Sequence, residues 1–230
     1  MRWTSLLLTC GIVGPPLFIT TFLIEGATRP GYSWWRNYVS SLATSETGWV
    51  QIANFLVWGA LAIAFSIGVL RAGLTLAGVL FFLFGALLVI AGLFVTDGSL
   101  GYPPGAPGEH TVHGAVHGVA GLGVFSDNAL VAFVVSRHFS RQPERGWWAA
   151  ASVIVGAAVI VLFVAATVIS VLDEQGVAPN GPTGFVQRTS IVIGFGWIAF
   201  VAWRLRRDSS RQAAHIGDQT TTAVLGTSPR

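Results

Sequence analysis

His113 and His117 stand four residues apart in an apolar run, so a helix there would stack their rings on one face. That spacing suits two chemistries. Two imidazoles can share a divalent metal, with Asp97 and His110 on the adjoining segment as further ligands. Alternatively, a metal-free pair can hydrogen-bond or move a proton at neutral pH. Arg36 and Arg188 offer planar guanidinium forks suited to a phosphate or carboxylate head group. Gln51 and Asn54, at i and i+3, present amides to the same region, and Glu25, Asn37, Ser40 and Gln187 complete a polar set. Ser40 and Ser41 are nucleophiles only if a histidine reaches them.

Asp127 is a carboxyl group deep in the same apolar run, about 20 Å of helical rise beyond His113. An ionised carboxylate is expensive there, so a neutral acid is expected. It either donates a proton to a guest or bonds Asn128 and a facing hydroxyl. Each polar residue also has a structural reading. Asp97 can start a turn ahead of Gly98, Arg188 can reach lipid phosphate or pair with Asp97 or Glu25, and the histidines can bond neighbours. There is no Gly-x-Ser-x-Gly elbow, no phosphate-cradling loop with Lys and no His-Glu-x-x-His.

The elements that must hold these groups are long and apolar. Of 230 residues, 53% are hydrophobic and 10% charged, against roughly 25% charged in soluble domains. Mean hydropathy is +0.66. The charge of +3 is spread over short loops as arginine, with no lysine, which excludes a nucleic-acid surface. Cys10 is the sole cysteine, so no intramolecular disulfide or thiolate cluster can form. Six stretches are long enough to span hydrocarbon: Ser5–Ile24, Val50–Leu70, Leu74–Val95, Val112–Ser136, Trp147–Val171 and Gln187–Leu205. The first reads as a retained span rather than a cleaved signal, because Pro15 and Pro16 come early and no small-x-small site precedes Glu25.

The expected fold class is therefore all-α: a polytopic membrane protein with six transmembrane helices. Gly11, Gly14, Gly114, Gly118, Gly121, Gly194 and Gly196 are expected at close helix contacts, with Gly114 and Gly118 in a small-x-x-x-small pattern. Arginines set the orientation. Arg2, Arg71, Arg137, Arg141, Arg145, Arg204, Arg206, Arg207, Arg211 and Arg230 fall on one side, and Arg29, Arg36 and Arg188 on the other. Both termini are thus expected in the cytoplasm. A short interfacial helix from Trp34 to about Leu42, capped by Ser33, is expected in the first external loop. Residues 1–207 form the membrane domain, and 208–230 read as a disordered cytoplasmic tail. The composition suggests a GC-rich bacterial genome and the bacterial plasma (inner) membrane.

Several short motifs, taken in order, resemble one family. Arg29-Pro30-Gly31-Tyr32 precedes Arg36-Asn37-x-x-Ser40-x-Leu42, and Asn54 follows early in the second span. Gly92-Leu93-Phe94 leads to Asp97, Pro103 and His113 or His117. Gly184-Phe185-Val186-Gln187-Arg188 comes last. Together they resemble a bacterial six-helix membrane family known only as domain of unknown function nine-nine-eight. The resemblance runs from about Gly14 to Leu205 and implies six spans without a mechanism. Asp127-Asn128 matches none of its landmarks.

Function is read from the polar set, which the arginine rule places at the outer leaflet. It suits a lipid, an isoprenoid or another hydrophobic small molecule with a polar head. In an enzyme acting on such an amphiphile, His113, His117, Asp97 and Asp127 are the catalytic candidates. Glu25, Arg36, Asn37, Ser40, Asn54, Gln187 and Arg188 bind substrate. A terpene or isoprenoid cyclase would use Asp127 or Asp97 as proton donor, with Trp58 and Trp197 shielding the cation. A non-catalytic lipid-binding or assembly protein would use the same groups for recognition alone. A transporter is disfavoured, because no inverted repeat or opposing polar cluster is evident.

Overall fold

Helix formation satisfies every backbone polar group within the segment, which apolar surroundings demand. In the computed structural model, residues 2–106, 110–142, 144 and 146–226 are described, with side chains described for 3–211 of these. Arg145 and Arg230, counted above, lie outside that set. The six helices are α1 (Arg2–Thr28), α2 (Trp49–Arg71), α3 (Thr75–Leu93), α4 (Val112–Ser140), α5 (Gly146–Glu174) and α6 (Thr183–Gly226). Each contains a stretch long and apolar enough to cross a membrane. Among the described residues there is no strand, only an isolated bridge between Ser99 and Tyr102.

Helices adjacent in sequence pack side by side, and α6 closes the ring against α1. Arg206 of α6 bonds Ser5 of α1 at 3.1 Å, so the chain ends where it began. The loops following α1, α3 and α5 gather at the opposite, plugged end. The ring is filled with aromatic side chains. Phe18 lies 5.4 Å from Phe55 and 5.5 Å from Phe195, and Trp58 meets Phe84 at 5.9 Å. In lipid such contacts act through close packing rather than through exclusion of water. Outward faces stay apolar, as at Val13, Leu17, Phe82, Leu122, Ile154 and Val161.

Small residues set how near the helices come. A Cβ on Gly59 of α2 would lie 2.8 Å from the Gly85 carbonyl of α3, and one on Gly85 would lie 2.8 Å from that of Gly59. Gly11, Gly14 and Gly194 also sit at crowded contacts, as expected. Gly118, Gly121 and Gly196 do not, because nothing lies within 4 Å of an added Cβ. The expected Gly114/Gly118 packing pair is therefore corrected: Gly114 makes room for the Asp97 carboxylate, and Gly118 faces open space.

One loop segment also differs from expectation. Residues 34–42 do not form a continuous surface helix. Trp34 to Arg36 make a turn, Tyr38 is extended, and a 3-10 helix covers Val39–Thr44 with Val39, Ser41, Leu42 and Ala43 buried. The cause is competition for the backbone: α6 side chains take the Trp34 and Asn37 carbonyls and the Val39 amide, leaving only short turns between the remaining groups. Helix α6 runs past Asp208 to Gly226. No proline interrupts 208–226, and Arg204 pairs with Asp208 one turn on at 3.4 Å.

Candidate functional site

Residues 32–44 fold back into the mouth of the bundle as a plug, and α6 holds it there. Arg188 sits in the second turn of α6, buried to 7% exposure. Its Nη1 donates to the carbonyls of Trp34 (2.7 Å) and Asn37 (3.0 Å), and its Nη2 donates to the Tyr32 hydroxyl. Its guanidinium carbon also lies 5.3 Å from the Tyr32 ring centroid and 5.9 Å from that of Phe22. Gln187 Oε1 accepts from the Val39 amide at 2.8 Å. Asn37 donates to the Leu100 carbonyl at 3.0 Å, tying the plug to the loop after α3. Tyr32 in turn donates to the Tyr38 carbonyl at 3.0 Å. Burial pushes the Tyr32 hydroxyl up to about 12, against the opposing pull of Arg188, so it stays a donor.

Arg36 forks onto Asp173 at the end of α5, with Nε to Oδ2 at 2.8 Å and Nη2 to Oδ1 at 2.7 Å. The hydrogen bonds to Asp173 raise its pKa further, fixing the charge. Glu25 pairs with Arg29 one turn along the chain, and Arg29 reaches Ser45 and Thr47. Asn54 bonds the Phe18 carbonyl and Gln51. Most of the expected binding groups therefore converge on the same end, but their hydrogen bonds hold the plug. Asp173 and Tyr32 share that task; neither was among the expected site residues, although Tyr32 stands in one of the family motifs. The i, i+4 spacing of Glu25 and Arg29 was a further readable signal.

Asp97 does not meet Arg36 or Arg188. Its carboxylate accepts from the Thr111 amide at 2.9 Å and hydroxyl at 2.6 Å, and Thr111 accepts from the Gly114 amide at 3.0 Å, capping α4. Bonds from the Thr111 hydroxyl, then its amide, hold the Asp97 pKa below the ordinary carboxylate value. A depressed folded-state value contributes stability that is complete above the unfolded value, about 3.9, and disappears as pH falls through the folded one. Amide exchange at Thr111 and Gly114 is therefore expected to quicken below about pH 4, and Asp97→Asn should abolish that pH dependence.

The two histidines part company. His113 is exposed and lies 5.2 Å from the Phe94 ring. His117 is buried, with Nδ1 2.9 Å from the carbonyls of both Ala91 and Phe94. Both partners are acceptors, so Nδ1 carries the proton, and in the neutral ring Nε2 keeps its lone pair. Among the described residues no group of three or more His, Cys, Asp or Glu side chains converges.

Two spaces flank the plug. A cleft of about 510 Å³ with mixed polar and apolar walls is lined by Tyr38, Asp97, His110, Glu174 and loop residues 98–103, 105 and 106. An apolar cavity of about 50 Å³ lies beneath, bounded by Val39, Ser40, His117, Gly121, Gln187 and the rings of Phe18, Phe55, Phe125 and Phe195. Tyr38 faces the cleft while its neighbours Val39 and Ser40 face the cavity, so the plug is their shared wall. Deeper in α4, Asp127 and Asn128 are buried, and none of their four side-chain oxygen and nitrogen atoms has a hydrogen-bond partner among the described residues.

This arrangement defines a six-helix protein of membrane type, with one end sealed by a side-chain-tethered plug over an apolar cavity. Residues 12–204 match DUF998, described as a protein of unknown function, and the chain belongs to that family. No curated protein and no solved structure matches it.

Proposed function

We propose that the protein binds a lipid or isoprenoid-like amphiphile at its plugged end. The observation that carries this reading is the shared wall: residues 38–40 stand between a cleft that offers polar side chains and an apolar cavity. An amphiphile needs both environments side by side. The cleft offers Asp97, His110, Glu174 and Tyr38 to a head group. The cavity has room for a chain end, being larger than the 10–15 Å³ or so that one water requires. The arginine bias supports an outward-facing plugged end in a bacterial plasma membrane, with both termini in the cytoplasm.

One observation favours catalysis as a second reading. Ser40 and the Nε2-acceptor tautomer of His117 border the same cavity, and a base with that tautomer can activate a hydroxyl nucleophile. The cyclase variant, with Asp127 as proton donor, has weaker support, since Asp127 does not line that cavity.

Gly121→Leu tests the binding reading. The residue lines the cavity and an added Cβ meets nothing within 4 Å, so the side chain should fill space without displacing a helix. Native mass spectrometry of wild type extracted in mild detergent is expected to show a bound amphiphile. The variant should melt like wild type and lose the adduct. A wild-type protein with no adduct, or an adduct unaffected in Gly121→Leu, would overturn the reading.

A further inference from the structure

At the end opposite the plug, α5 and α6 carry a ladder of aromatic rings. Trp147 lies 4.4 Å from Trp148, Trp148 stacks on Phe200 at 4.7 Å, and Phe200 stacks on Trp203 at 5.6 Å. Trp148 is buried, whereas Trp147, Phe200 and Trp203 are exposed. Two guanidinium groups rest on this ladder. Arg207 lies 4.8 Å from the Trp203 centroid and Arg204 5.8 Å from that of Trp148. Phe200, Trp203, Arg204, Arg207 and Arg211 share one face of α6 by helical periodicity.

Among the described residues Asp208 is the carboxylate paired with this cluster. Arg204 reaches Asp208 at 3.4 Å, and its buried Nε has no partner among the described residues. Arg206 turns to Ser5. A guanidinium that uses its face on a ring keeps its in-plane N–H groups for oxygen acceptors. Two such groups one turn apart suit the non-ester oxygens of a phosphodiester. The apolar surface beside them favours a lipid over a free anion. Trp147, Ile154, Val161 and Val168 are all exposed and recur every seven residues along α5. They form a stripe roughly 30 Å long by helical rise, comparable with the hydrocarbon thickness of a bilayer.

We propose that this ledge is a binding site for an anionic phospholipid, with its phosphate between Arg204 and Arg207 and an acyl chain along the α5 stripe. The site is independent of the plugged end. Each guanidinium already rests on one ring, so less side-chain freedom is lost on binding.

The test is native mass spectrometry of the full chain titrated with phosphatidylglycerol or phosphatidylcholine, and separately with inorganic phosphate as competitor. Wild type is expected to prefer phosphatidylglycerol by about tenfold. Arg204→Gln/Arg207→Gln should erase that preference, and inorganic phosphate should not compete. Arg207→Lys, which keeps charge but loses the fork and the ring contact, should retain only part of it. Thermal melts select variants that fold. Equal binding of the two lipids by wild type would overturn the proposal, as would an undiminished preference in the folded double variant. Displacement by phosphate would instead identify a site for free anions, and would also overturn it.

Discussion

Arg188→Leu should release residues 32–44 from the mouth of the bundle. The lost guanidinium strips the Trp34 and Asn37 carbonyls of a charged donor and removes the Tyr32 contact. Each buried group left unsatisfied costs about 1–3 kcal/mol. The arginine's own burial penalty is relieved, so a net loss of about 3 kcal/mol is expected, within the range for breaking one side of a buried charged contact. Lysine should rescue little, because one ammonium cannot reproduce the fork that bridges two carbonyls and a phenol. Hydrogen exchange gives the decisive pattern: protection lost across residues 32–44, with the α2–α3 amides little changed. Unaltered protection of the plug would refute its dependence on Arg188.

Gly85→Leu is expected to have a comparably large effect by another route. An added Cβ would sit 2.8 Å from the Gly59 carbonyl and 2.9 Å from the Ile63 amide nitrogen. Both belong to helix backbone, which cannot swing aside as a side chain can. Removing glycine from a helix interior gains about 1 kcal/mol in propensity. Overpacking costs typically 1–3 kcal/mol and more where backbone must shift, so the clash decides the sign. Gly118→Leu is the control, since nothing lies within 4 Å of its added Cβ. Thermal unfolding in detergent should show a large drop for Gly85→Leu and no drop for Gly118→Leu. Equal melting of the two would remove the close α2–α3 approach as a determinant of the fold.

The same contrast shows what a sequence can and cannot disclose. Six spans follow from apolar runs, because hydrocarbon admits few backbone solutions. The convergence of Arg36, Asn37, Gln187 and Arg188 at one end was also legible, since depth along a helix follows from counting residues. Partners were not. Nothing local to Asp97 distinguishes Thr111 from Arg188 as its mate, and nothing near Arg36 points 137 residues ahead to Asp173. Glycines were equally opaque: Gly59 and Gly85 touch while Gly118 and Gly121 do not, and that depends on helix rotation, which pattern alone leaves open. The surface helix at 34–42 failed for a related reason, because amphipathic spacing is silent about a distant side chain that takes the backbone carbonyls.

Asp127 and Asn128 keep their buried, unpartnered atoms in every reading given above. Groups of that kind normally meet water or a guest. Ordered solvent bridging the two would satisfy them without any contribution to the cavity under the plug.

The most direct measurement is an electron-density map of the wild-type protein extracted from native membranes without delipidation. The account predicts continuous non-protein density in the cavity beside His117, Ser40 and Gly121, passing residues 38–40 into the cleft at Asp97 and Glu174. A well-resolved map with side chains or ordered water alone in both spaces would contradict it.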